Sequence, residues 1–148
     1  MIATPVIAQD KGGASADTNM EILMEKVKAD KKLLVAANMD LTDEEGKKFW
    51  PLYEAYQKDL EKMNQALGKT IGEYADAYGK GPIPNDLAKK LMNQVLSIEA
   101  AEVKSKHSYA EKIGKVLSAA KTARYIQIET KIRAALKYEL AKRIPLVD

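Results

Sequence analysis

The sequence contains no cysteine and one histidine, His107. Without a thiol there is no disulfide, no cysteine nucleophile and no thiolate metal site. With one imidazole there is no His cluster of the kind that zinc and its neighbours favour. Aromatics other than tyrosine are almost missing, with one Phe and one Trp against seven Tyr. Any core must therefore draw on Tyr, Leu, Ile, Val and Met. Gly and Pro are few and clustered, the pattern of helices joined by short breaks. No apolar run reaches the roughly 18 residues that a membrane span requires. A nucleotide-binding glycine loop, a nucleophile–base motif and strand-like alternation are also missing. No cofactor is expected.

What remains is a charged chain of 148 residues, one domain's worth. Residues 1–39 balance five basic against five acidic side chains. Residues 40–102 carry eight and twelve, a net of −4, and 103–148 carry eleven and four, a net of +7. A basic final third attracts anionic partners, or is simply a solvated helix face. Arg124, Lys131, Arg133 and Lys137 spread around one helix rather than forming a tract, so nucleic acid is set aside as a partner.

The opening "MIATPVIAQD" is apolar through Ala8 and then turns polar. Val6 and Ala8 suit a signal-peptidase cut before Gln9. The expected layout is therefore a remnant of an export signal over 1–8, a flexible leader over 9–17 and one helical domain over 18–148.

Four amphipathic helices are expected, two of them long. Thr18 with Glu21 forms a capping box for the first, ending near Asn38, with Met20, Leu23, Met24, Val27 and Leu34 along one side and Lys31 interrupting. Thr42 with Glu45 forms a second box, reinforced by Asp43 and Glu44 at the positive end of the helix dipole. From there Phe49, Tyr53, Tyr56, Leu60, Met63, Leu67, Ile71, Tyr74 and Tyr78 recur at three- and four-residue steps, a near-heptad stripe. One helix over 43–78 would be about 54 Å long at about 1.5 Å per residue, more than a compact chain of this size can wrap. Pro51 inside it should kink it near the second turn. The alternative is a helix that starts at Pro51.

"GKGPIPN" ends that helix, and Asn85 is placed to cap a third over about 86–114. Leu87, Leu91, Val95, Ile98, Glu102, Ser105, Tyr109 and Ile113 make its first stripe. Met92, Leu96, Val103 and Ala110 make a second. Two apolar faces imply two burials, one against the chain itself and one against a second subunit or a client. Ser118 caps a fourth helix over about 119–142 with Tyr125, Ile128, Ile132, Ala135 and Leu136 as its core face. Ile126, Arg133, Lys137 and Leu140 form a mixed apolar and cationic strip beside it, either ordinary snorkelling at the core edge or a binding strip.

Residues 41–60, "LTDEEGKKFWPLYEAYQKDL", align with 117–136, "LSAAKTARYIQIETKIRAAL". Leu41 matches Leu117, Thr42 matches Ser118, and Phe49 matches Tyr125. This repeated Leu-hydroxyl cap on amphipathic helices resembles the LTxxQ-motif proteins of the bacterial envelope, the group of Spy and CpxP, in layout over about 20–142. Glu45 and Lys121 stand where the motif has Gln. Glu45 retains the capping-box chemistry and Lys121 does not.

The resemblance implies a thin, bent, hairpin-type antiparallel homodimer in the periplasm, binding unfolded or stress-related proteins without ATP. On that reading the candidate client-binding residues are Ile126, Arg133, Lys137, Leu140, Met92, Leu96 and Val103. The rival is a regulatory or structural module docking on one envelope partner, such as a sensor kinase's outer domain. Some relatives sense metals, but the pair Glu99 and Glu102 lacks the partner Glu-x-x-His of di-iron bundles, so no metal site is expected. No catalytic residue is expected either.

Overall fold

The computed structural model describes residues 12–148, with side chains from Lys26 onward. The expected export remnant lies outside the described residues. All secondary structure described is helical: α1 Gly12–Met39, α2 Asp43–Tyr78, α3 Asn85–Gly114 and α4 Ala119–Arg143. Among the described residues no helix is long and apolar enough to cross a membrane. The chain divides between Asp40 and Leu41 into two units.

The first unit holds α1. It begins at Gly12 rather than Thr18, so residues 12–17 are helical rather than a flexible leader. A capping residue marks where a helix can start and does not stop it extending upstream. The exposed face also differs from expectation. Val27 and Leu34 are exposed while Val35 and Met39 are buried. Lys31 is half-buried in phase with that pair, because an alkyl stem lies along an apolar face without interrupting it. α1 stops at Asp40, whose φ of 49° is left-handed, a conformation short polar side chains tolerate.

The second unit holds α2, α3 and α4. Thr42 Oγ1 accepts from Glu45 N at 3.2 Å while Glu45 Oε1 accepts from Thr42 N at 3.2 Å. This is the capping box read from the sequence. α2 then runs unbroken through Pro51, which excludes a start at Pro51. Only Gly81, at φ 116°, needs glycine's conformational freedom in the following turn. α3 begins at Asn85, and its N-cap is Pro84 without a side-chain hydrogen bond. Asn85 therefore lies inside the helix and does not cap it.

Side-chain contacts fix the directions. Tyr109 bonds Asp59 and Lys90 bonds Glu73, so α3 runs antiparallel to α2. Arg133 bonds Glu102 and Lys106 bonds Thr130, so α4 runs antiparallel to α3. α4 therefore returns parallel to α2, with contacts from Glu45–Lys121 at one end to Tyr74–Pro145 at the other. The core is aromatic at the end where α2 and α4 begin. Phe49, Tyr53, Tyr56 and Tyr125 are all but fully buried. Phe49 meets Tyr125 edge to face at 5.0 Å between ring centroids, and Tyr56 stacks on Tyr109 at 4.7 Å. Each such ring contributes about 2 kcal/mol through burial.

α4 does not use the inner face expected of it. Tyr125 is buried and Ile128 and Ile132 are half-buried, but Ala135 and Leu136 are exposed. Thr122 and Glu129 take buried places instead. They can do so because each has a partner. Thr122 Oγ1 donates to the Ser118 carbonyl at 2.9 Å, and Glu129 accepts from Tyr125 at 2.7 Å. A satisfied polar group is tolerated where an orphaned one is not.

Candidate functional site

The two repeated caps meet in space. Ser118 Oγ accepts from Lys121 N at 3.2 Å, the first half of a capping box. The Lys121 side chain cannot complete that box and instead crosses to α2, reaching Glu45 Oε1 at 2.8 Å. Lys121 and the Thr42 backbone N–H together hold the Glu45 carboxyl below its ordinary range. Leu117 is buried and Leu41 half-buried behind these caps. The motif residues thus join two helix starts and are structural in this arrangement.

A polar seam runs from here along α4. Gln57 Nε2 donates to Glu129 Oε1 at 2.9 Å, beside the Tyr125 hydroxyl that donates to the same oxygen. Further along, Glu102 of α3 takes Arg133 on one oxygen and Lys137 on the other, the latter at 2.9 Å. Arg133 also donates to Asn64 of α2. One guanidinium therefore ties all three helices together. Burial makes its charge less favourable and lowers the Arg133 pKa from its usual value. Glu102 interrupts the apolar first stripe of α3, and that interruption was its signal in the sequence. Glu129 gave no comparable sign.

The predicted site residues separate by chemistry. Arg133 and Lys137 are both engaged by Glu102, and Ile126 and Leu140 are half-buried. This strip belongs largely to the α3–α4 junction. Met92, Leu96 and Val103 are 55%, 54% and 64% exposed. Val103 adjoins Glu102, and Lys106 beyond it reaches Thr130 of α4 at 3.4 Å. The apolar stripe therefore borders the same seam that the cationic strip lines from the other side. It is more exposed than the cationic strip, in which Ile126, Arg133 and Leu140 are half-buried and Lys137 is held by Glu102.

No other chemistry gathers nearby. His107 lies 3.9 Å from Glu111 on the surface. Among the described residues no three His, Cys, Asp or Glu side chains are grouped to hold a metal ion. Comparison with protein-family models, curated proteins and solved structures finds no match.

Proposed function

We propose that this protein binds unfolded or partly folded proteins without ATP, using the exposed Met92, Leu96 and Val103 stripe of α3. The observation that carries the reading is a row of three large apolar side chains, each more than half exposed, on a helix whose other face is already buried. Unbranched and γ-branched side chains such as Met and Leu adapt to many shapes, which suits a surface with varied clients. Lys104 and the basic final third supply long-range attraction to acidic segments before contact.

The resemblance to the LTxxQ-motif envelope proteins supports the same reading and adds a periplasmic setting and an antiparallel homodimer. The α4 strip is a less suitable contact surface, because its cations are held within the molecule.

The test is light scattering from an aggregating client at low salt, with and without purified protein and with no nucleotide. Suppression by a few molar equivalents supports the proposal, and unchanged aggregation at excess overturns it. Capture from an envelope extract separates the rival, since a specific docking module would return one partner and a chaperone many.

A further inference from the structure

The outward face of α4, turned away from the seam, carries exposed cations and an exposed tyrosine. Arg124, Lys131 and Tyr138 follow one another at seven-residue steps, and Lys142 lies one turn beyond Tyr138. These residues share one side of the helix, about 100–180° around it from buried Tyr125 and Glu129. Arg124 and Lys131 are exposed and have no ion-pair partner among the described residues. Tyr138 is 65% exposed, with Lys142 Nζ 5.4 Å from its ring centroid. The only acid at the margin is Glu139, which reaches Lys142 at 3.6 Å.

We infer that this face docks the protein on the surface of an anionic lipid bilayer. The span from Arg124 to Lys142 is about 27 Å of straight helix, and a straight convex ridge meets a plane more readily than it wraps a flexible chain. Two clefts of the second unit lie between α2 and α3 and around Trp50, and α4 lines neither, so an acidic polypeptide seated in either would not meet this face. An exposed tyrosine with a neighbouring ammonium is also suited to the headgroup layer, where the ring is half desolvated and its hydroxyl stays wet. The attraction is electrostatic, so it should be weak, reversible and sensitive to salt. The face is separate from the α3 stripe, and a docked molecule would leave that stripe free.

The experiment is co-sedimentation of the full chain with vesicles of phosphatidylglycerol mixed into phosphatidylcholine, against pure phosphatidylcholine, at low ionic strength. Binding is expected only to the anionic vesicles and should disappear at high salt. Each cation removed should weaken it about fivefold, so R124Q/K131Q/K142Q should lose about 100-fold. All three positions are exposed, and circular dichroism verifies that the variant keeps its helices. A control that removes two lysine charges from α2 instead, K58Q/K62Q, should bind nearly as wild type. Absence of anionic-vesicle binding, equal binding to neutral vesicles, or an unaffected triple variant overturns the inference. Retention of a soluble polyanion such as polyglutamate without vesicle binding also overturns it.

Discussion

Lys121 Nζ lies 2.8 Å from Glu45 Oε1, and the two residues occupy the same place in the two halves of the internal repeat. Phe49 and Tyr125, likewise equivalent, pack edge to face one turn further on. The repeat is therefore more than a resemblance between two stretches of text. It places two similarly capped helix starts side by side and lets them share a core. Glu45 and Lys121 make this possible, since one is an acid and the other a base.

The pair gives a pH dependence with a definite sign. Glu45 has its pKa lowered from 4.5 by Lys121 and then by the Thr42 N–H. Its contribution is fully present above pH 4.5 and is lost as pH falls through the lower value of the folded state. Glu45→Gln cannot titrate, so its thermal midpoint should fall less than that of wild type between pH 5 and pH 3. Parallel curves for the two proteins would show that the pair contributes nothing. Thr42→Ala removes the cap itself and should cost about 1 kcal/mol at every pH.

Glu102 carries a larger share. Arg133 and Glu102 are mostly buried, with side chains 14% and 10% exposed. Glu102→Gln leaves a partly desolvated guanidinium without its counter-charge, and should cost about 3 kcal/mol in urea unfolding. Lys137 is 44% exposed, so Lys137→Gln should cost less than about 1 kcal/mol. The double variant E102L/R133M removes both charges and should recover most of the loss. Equal small effects for all three would mean that the seam does not hold α4 in place.

Much of this was legible in the sequence, and the misses have physical causes. The α2 stripe is buried or half-buried from Phe49 to Tyr74, with Tyr78 exposed at its end, both α2 and α4 caps are where their chemistry puts them, and α2 is one helix despite Pro51. These are local signals repeated many times along the chain. On α1 a lysine reads as a break in an apolar face, yet Lys31 is half-buried in phase with Val35 and Met39. On α4, apolar counting favoured Ala135 and Leu136 over Thr122 and Glu129. The buried Glu129 carboxylate is satisfied by Tyr125 one turn before it and by Gln57, 72 positions away, and no periodicity reports the second partner. For the candidate site, the α3 stripe was found as a second apolar face. The internal pairing of Arg133 and Lys137 was invisible until Glu102 was placed beside them.

The buried tyrosines set an upper pH limit. Burial, and then the Glu129 carboxylate, push Tyr56 up to about 12, and Tyr53 and Tyr125 rise for the same two reasons. A phenol whose pKa is raised on folding stabilises fully below its unfolded value of 10, and that contribution is lost as pH rises toward 12. Ultraviolet titration should therefore show a late tyrosine phase that coincides with loss of helical circular dichroism. Ionisation of every tyrosine near pH 10 with the helices intact would contradict the packing described. Tyr125→Phe removes one partner of buried Glu129 and should cost about 1–2 kcal/mol at neutral pH.

The α3 stripe separates stability from binding. Met92, Leu96 and Val103 are more than half exposed, so M92S/L96S/V103S should change unfolding by less than about 1 kcal/mol in total. Covering the three side chains with a client is worth about 1 kcal/mol each, so the triple variant should bind clients about 100-fold more weakly. R133Q should do the opposite, lowering stability through the Glu102 contact while leaving the stripe in place. Aggregation assays run at a temperature where all variants remain folded distinguish the two. Full client protection by the serine variant would mean that binding occurs elsewhere. A loss of helix in that variant would mean that the stripe is covered within the folded protein rather than open to clients.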